Sequence, residues 1–141
     1  MANEDETSPA VSQEEYEALA AFRFELRQFL SFSEAAARTL GMTPQQHQSL
    51  LAIRAAPERM LTIGELAEQL FIQPHTASEL ADRMVGLEWL ARRADERDRR
   101  RVALALTPRA EALLGRMSAT HRAEVRRIGS TLTDLLARIT S

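Results

Sequence analysis

The segment from Thr62 to Leu106 constrains the fold most, because its hydrophobic period changes from helical to alternating within a short stretch. Thr62 followed by Glu65 is a capping box that predicts a short helix. Pro74 suits the first position of a second helix. Beyond it, two short β-patterned segments flank a charged turn, and the second, 102–106, alternates apolar and other residues. This order predicts a helix-turn-helix followed by a β-hairpin, or wing.

Helical patterns lie on both sides of this segment. Ser12 with Glu15 is a capping box for a long first helix, and Gly41 is typical of its end. The glycine and serine at Gly129-Ser130 predict a break late in the chain. The predicted bounds of these flanking helices are about 12–39, 44–55, 107–128 and 131–139. The predicted fold is therefore mainly α with a small β-hairpin wing, a winged helix-turn-helix with a helical dimerisation region.

Several classes of protein are disfavoured by what the sequence lacks. There is no cysteine, which excludes disulfides and thiolate metal sites. The three histidines lie far apart, so no metal or other cofactor is expected. No glycine-rich phosphate loop or supported nucleophile–base pair is present, so we expect no enzyme activity. No apolar run approaches the ~20 residues of a membrane span, and residues 1–6 lack a secretory signal, so a cytoplasmic protein is expected.

Charge is distributed unevenly along the chain. The formal net charge is −2, but residues 1–17 hold six acidic residues and no basic one. The segment 92–109 holds seven arginines against Asp95, Glu96 and Asp98. A local basic cluster matters more for binding nucleic acid than the overall sum, so the predicted wing is a candidate DNA contact.

Four segments resemble the MarR family of bacterial regulators: Thr43 to Gln46, Leu61 to Leu70, Pro74 to Met84 and Asp98 to Thr107. The resemblance covers about residues 12–128. Residues 1–11 are polar and acidic and carry Pro9, so they predict a flexible acidic tail. The resemblance implies one MarR-like domain over 12–141. Within that domain, 12–40 and 107–141 would be dimerisation helices, and 43–106 the winged helix-turn-helix region.

The resemblance implies a sequence-specific regulator that binds double-stranded DNA. Such a protein would be a homodimer that reads a pseudo-palindromic operator and acts as a repressor relieved by a small aromatic or phenolic ligand. The alternative is a winged-helix module for protein–protein interaction or dimerisation without DNA binding. The acidic residues Glu79 and Asp82 on the predicted recognition helix favour that alternative.

The recognition helix would enter the major groove with its N-terminal residues near the bases. The candidate contacts there are Pro74, His75, Thr76, Ser78 and Glu79. His75 and Ser78 can exchange hydrogen bonds with bases, and Thr76 can offer a methyl group to thymine. Glu79 either accepts a hydrogen bond from cytosine or pairs with an arginine such as Arg83. The same residues would also suit an ordinary solvated helix face.

In the wing the candidates are Asp98, Arg99, Arg100 and Arg101. The resemblance implies that Asp98 holds the turn while Arg100 enters the minor groove, where narrow A·T-rich segments attract guanidinium groups. Arg99 and Arg101 would reach neighbouring phosphates. A solvated charge run with internal Asp–Arg pairs is the competing interpretation.

The phenylalanines of the first helix, at 22, 24, 29 and 32, suit either core and dimer packing or an effector pocket. For the pocket, the candidates are Phe32, Arg38 and His47. Trp89 is expected to cover the core and His121 to lie on the surface. Glu88 stands where the family usually has a glycine, and Gly86 is expected to take over that turn.

Overall fold

The computed structural model describes residues 10–95 and 97–140. Among these, five helices and three strands follow one another along the chain. Their bounds are α1 Gln13–Thr39, α2 Pro44–Ala55, β1 Leu61–Thr62, α3 Ile63–Leu70, α4 Pro74–Gly86, β2 Leu90–Ala94, β3 Val102–Leu106 and α5 Pro108–Thr140. The predicted fold class, mainly α with a small β-wing, is confirmed. Most of the predicted tail, residues 1–9, lies outside the described residues.

The chain divides into two compact units. In the described residues, the first unit comprises 10–32 and 122–140, and the second comprises 33–121. Helices α1 and α5 contribute to both units. None of the described helices is long and apolar enough to cross a membrane.

The helices of the second unit begin where local capping predicts. Gln46 N donates to Thr43 Oγ1 at 3.2 Å, and Thr43 N donates back to Gln46 Oε1 at 2.9 Å. Thr62 and Glu65 form the same reciprocal pair at the start of α3. Two backbone donors that a helix start leaves without partners are satisfied in each box, which fixes both starts.

The sheet of the second unit is antiparallel in the order β1-β3-β2. Strands β2 and β3 form the predicted hairpin, with Leu90 opposite Leu106 and Ala94 opposite Val102. Strand β1, which pairs Leu61 with Leu104, was not predicted. Its two residues are too few to show an alternating pattern, and only the partner strand makes them a strand.

The core of the second unit lies between its helices and this sheet. Its fully buried large side chains include Leu50 of α2, Leu66 of α3, Met84 of α4 and Leu104 of β3. Trp89, just before β2, is also buried, as predicted. Arg54 Nε of α2 donates to Glu111 Oε2 of α5 at 3.0 Å, which adds a polar tie beside the apolar packing.

The first unit corrects the predicted break at Gly129-Ser130, because α5 is one helix from Pro108 to Thr140. A glycine inside a helix costs only about 1 kcal/mol relative to alanine. Burial of Ile128 and Leu135 on either side can offset that cost. In the same unit, Arg127 Nη1 of α5 donates to Glu25 Oε2 of α1 at 3.2 Å.

The prediction that His121 lies on the surface is wrong, since it is only 8% exposed. Its Nδ1 lies 2.6 Å from the Met117 carbonyl oxygen, so Nδ1–H donates there. In the neutral ring Nε2 then accepts from the Ser33 hydroxyl at 2.8 Å. The His47 ring lies beside it, with ring centroids 5.4 Å apart. Burial disfavours the charged imidazole and so holds the pKa of His47 below its usual value. Charge repulsion from the nearby His121 lowers it further.

Candidate nucleic-acid interface

Helix α4 presents a polar N-terminal face because its apolar residues turn inward. Ala77, Ala81 and Met84 are fully buried at helical spacing. Four of the five predicted contact residues, Pro74, His75, Thr76 and Glu79, are exposed, and Ser78 is half-buried. Pro74 occupies the first turn, as its fixed φ favours. The structure thus places all five predicted residues in the first two turns of one helix.

The two acidic side chains on α4 each have a basic neighbour. Glu79 Oε1 lies 3.3 Å from His75 Nε2, one helical turn earlier, so its neighbour is His75 rather than Arg83, and this pair is ionic only when the imidazole is protonated. Asp82 Oδ1 accepts from Arg92 Nη2 of β2. The charge of Asp82 is therefore offset locally by an arginine, although both pairs are open to solvent.

The turn of the wing is organised by Asp98. Asp98 Oδ1 accepts from Arg100 N and from Arg100 Nε, both at 3.1 Å. Arg101 N donates to the Asp98 carbonyl oxygen at 2.9 Å, which closes the turn. Hydrogen bonds from Arg100 hold the pKa of Asp98 below its usual value, so the carboxylate is charged at neutral pH. The Arg100 side chain is nevertheless 90% exposed.

The base of the wing depends on Arg97, which sequence reasoning did not single out. Its backbone N donates to Asp95 Oδ1 at 3.0 Å, and its Nη2 donates to Glu65 Oε1 of α3 at 2.9 Å. Asp95 is only 2% exposed. Hydrogen bonds from Arg97, its backbone N–H foremost, hold the pKa of Asp95 below its usual value. Arg97 thus ties the wing to the first helix of the helix-turn-helix.

A second tie reaches the same helix start. Arg101 Nη2 donates to Thr62 Oγ1 at 3.4 Å, so two wing arginines reach the capping box of α3. The pKa of Glu65 is lowered by the hydrogen bond from the Thr62 backbone and then by Arg97. The arginine run was visible in the sequence, but these partners lie more than thirty residues away along the chain.

The junction between α4 and β2 differs from the prediction that Gly86 makes the turn. Gly86 is the last residue of α4, whereas Glu88 itself takes the left-handed backbone, with φ of +61°. Glu88 N donates to the Val85 carbonyl at 3.0 Å, and the Glu88 carbonyl accepts from Thr107 Oγ1 at 2.6 Å. These bonds hold glutamate in a conformation that glycine adopts more easily.

The three residues predicted to line a ligand pocket are in different surroundings. Arg38 is exposed, and its Nη2 lies 3.8 Å from Oε2 of Glu34, one turn earlier on α1. His47 is buried beside His121. Phe32 belongs to the first unit, whereas Arg38 and His47 belong to the second. A cleft of about 180 Å³ in the second unit is lined by other residues, namely Ala36, Thr39, Leu40, Arg116, Met117 and Thr120.

Comparison with known proteins gives a family match over part of the chain and a shared fold. The MarR family model matches residues 40–101. No curated protein sequence matches the chain.

Three solved structures illustrate the likeness. AbsC, a MarR family transcriptional regulator from Streptomyces coelicolor, is 20% identical with a TM-score of 0.70, covering 89% of this chain and 84% of AbsC. A mutant MarR from E. coli in complex with operator DNA is 20% identical with a TM-score of 0.66, covering 86% of each chain. BpsR of Bordetella bronchiseptica, whose DNA binding is regulated by 6-hydroxynicotinic acid, is 19% identical with a TM-score of 0.61. The likeness covers 95% of this chain and 99% of BpsR.

At these identities the structural likeness establishes a shared fold. The family match ends just before β3, so it includes both capping boxes, α4 and the turn of the wing. Over this segment the chain resembles the MarR family, and it shares the fold of solved MarR family transcriptional regulators.

Proposed function

We propose that the chain is a transcriptional regulator that binds double-stranded DNA sequence-specifically through α4 and the wing. The observation that carries this proposal is the wing turn, where Asp98 holds the backbone while the Arg100 side chain stays 90% exposed. An arginine presented in this way, on the same unit as an exposed helix N-terminus, suits simultaneous contact with two grooves of a duplex.

In this arrangement each part has a distinct task. The first turns of α4 lie in the major groove, where His75, Thr76 and Ser78 reach base edges. Arg100 enters the minor groove, and Arg99 and Arg101 lie against phosphates. Since Asp82 already pairs with Arg92, it repels the phosphates less than a free carboxylate would.

We further propose that the chain acts as a homodimer with 12–40 and 107–141 as the dimerisation helices, whose outer parts make up the first unit. Large apolar side chains of this unit are about half exposed or more, among them Tyr16, Leu19, Phe24 and Leu30 of α1 and Val125 and Leu136 of α5. Apolar surface of this extent is typical of protein–protein contacts. Two copies related by a two-fold axis would read a pseudo-palindrome whose half-sites lie about 34–36 Å apart.

The finer parts of the proposal are repression in the cytoplasm and its relief by a small aromatic or phenolic ligand. The structural likeness to BpsR supports control by a small ligand, because the DNA binding of BpsR is regulated by 6-hydroxynicotinic acid. Such a ligand would act by shifting the population of states with different spacing between recognition helices. Phe32, Arg38 and His47 remain the proposed pocket residues, and ligand titration of variants at each position would test them.

The direct test is binding to the DNA that flanks the protein's own gene, measured by fluorescence anisotropy at several salt concentrations. We expect specific binding that weakens steeply with salt, because each phosphate contact releases counterions. Light scattering on the same sample should give about twice the 15.8 kDa chain mass. Salt-insensitive or absent DNA binding by a dimeric protein would instead support the protein-interaction alternative.

A further inference from the structure

Phe71 is the most exposed large apolar residue in the described part of the chain. It lies in the turn between α3 and α4 and is 96% exposed. An isolated exposed leucine is common on protein surfaces, but a whole phenylalanine ring left in water is a more costly feature. Its position in the helix-turn-helix therefore requires an explanation.

The backbone at Phe71 is also unusual. Phe71 caps the C-terminus of α3 in the left-handed conformation, with φ of +55° and ψ of +42°. Bulky residues rarely adopt this conformation, which glycine and asparagine adopt more readily. The turn is nevertheless well formed, since Ile72 N donates to the Ala67 carbonyl at 3.1 Å. Exposure and an unfavourable backbone thus coincide at one residue, a combination that points to function more than to folding.

The place of Phe71 in the motif indicates what covers the ring. Three residues later Pro74 begins α4, and the intervening Gln73 is exposed as well. In a helix-turn-helix the N-terminus of the second helix enters the major groove. The turn before that helix consequently lies at the edge of the groove. Neighbouring candidates His75 and Ser78 are polar, so the ring would supply an apolar contact beside them.

We propose that Phe71 is a DNA-contacting residue whose ring packs against an apolar group at the edge of the major groove. Thymine C5-methyl groups and deoxyribose carbons are the two apolar groups available there, and phenylalanine contact with the thymine methyl is an established form of base readout. This inference rests on the proposed DNA-binding function and adds a contact outside α4 and the wing.

The test uses full-length protein and DNA selected from a random pool by the unchanged protein. Phe71→Gly removes the ring and suits the left-handed backbone, so the variant should melt no lower than the unchanged protein. Phe71→Tyr keeps the aromatic ring. The matched control is Glu88→Gly, which relieves the other left-handed position flanking α4 without removing an aromatic side chain.

We expect Phe71→Gly to lose roughly tenfold in affinity, as for a phenylalanine ring that DNA buries in part. Phe71→Tyr should retain most of the affinity, and Glu88→Gly should lose none. Replacing thymines of the selected site by deoxyuridine, which lacks the methyl group, distinguishes the two sources of contact. If uracil weakens the unchanged protein but not Phe71→Gly, the ring contacts a thymine methyl; equal effects on both proteins support a deoxyribose contact.

Unchanged affinity in Phe71→Gly, with the unchanged protein binding its selected DNA, would overturn the role of Phe71 alone. An unchanged protein that selects no DNA would instead overturn the proposed function. A Phe71→Tyr variant that loses as much affinity as Phe71→Gly would also contradict packing by the ring.

Discussion

The recognition helix and the wing belong to one unit, but different forces hold them in place. Helix α4 is positioned by apolar side chains, with Ala77, Ala81 and Met84 fully buried. The turn of the wing is held mainly by charged hydrogen bonds, with Arg97 connecting Asp95 to Glu65 and Asp98 fixing the backbone, whereas Leu104 packs strand β3 into the core. Apolar packing is insensitive to salt, whereas exposed charge pairs are screened.

Because different forces hold them, the two proposed DNA contacts should fail under different conditions. Loss of a buried side chain should release α4 at any ionic strength. Loss of an arginine partner should loosen the wing without unfolding the unit, and salt should partly reproduce that effect.

The largest effect is expected from Met84→Ala. Met84 is fully buried, and truncation of such a side chain leaves a cavity that costs roughly 2–5 kcal/mol of unfolding free energy. Urea denaturation measures the loss, which should be the same at low and high salt. Met60→Ala, at a half-buried methionine, is the matched control and should cost clearly less. Equal costs at the two positions would contradict the account of α4.

The next largest effect is expected from Arg100→Ala on DNA binding. Loss of a groove contact should weaken binding by roughly 1–3 kcal/mol. The unfolding free energy should change little, because the side chain is almost fully exposed. Arg126→Ala removes an exposed charge from the first unit and should leave specific affinity nearly unchanged. An unaltered affinity in Arg100→Ala would remove the wing from the interface.

A smaller loss of DNA affinity is expected from Arg97→Gln, because Arg97 positions the wing and does not itself contact DNA. The variant keeps the backbone bond to Asp95 but lacks the side-chain bonds from Nε to Asp95 and from Nη2 to Glu65, so the wing should open more often. The amide of Asp95, which donates to the Arg101 carbonyl at 2.9 Å, should then exchange its hydrogen faster. High salt should accelerate the same amide in the unchanged protein. Arg93→Gln, at an exposed arginine of β2, is the control; if it accelerates exchange equally, Arg97 has no special role.

The smallest effect is expected from pH, and it should separate the packed helices from the wing. The pKa of His47 is lowered in the folded protein, so at low pH the unfolded state binds more protons. Its contribution to stability is therefore complete above pH 6.5 and falls as pH drops below that value. The contributions of Asp95 and Asp98 to stability are lost only as pH falls below 3.8 towards their lowered pKa values.

Thermal melts between pH 7 and pH 5 measure the histidine effect. His47→Gln should melt with less dependence on pH over this range than the unchanged protein. His75→Gln, at an exposed histidine of α4, is the control and should keep the original dependence. A His47→Gln variant with the same pH dependence as the unchanged protein would contradict the lowered pKa of His47.

Features set by local chemistry could be predicted from the sequence. Helices α2 and α4 begin and end where expected, because capping boxes, proline and glycine act on their immediate neighbours. The β-hairpin followed from the alternating residues of β3 and the charged turn. The residues proposed for α4 and the wing are brought into one unit by the same local signals.

Features that depend on distant partners could not be predicted in this way. Strand β1 exists only because β3 pairs with it, and Arg97 gains its role from Glu65. His121 was misplaced because Ser33 and His47 approach it from other helices, although its spacing from Met117 follows the buried face of α5. Glu88 keeps an unfavourable backbone because Thr107 holds its carbonyl.

The selection of bound sequences from random DNA tests the central claim most directly. A dimer that reads DNA with α4 and the wing should enrich a pseudo-palindrome whose half-sites lie about one helical turn, 10–10.5 base pairs, apart. Enrichment should be lost in Arg100→Ala at a salt concentration that the unchanged protein tolerates. If the pool shows no enriched sequence while the protein is folded and dimeric, the claim that this winged helix reads DNA is contradicted.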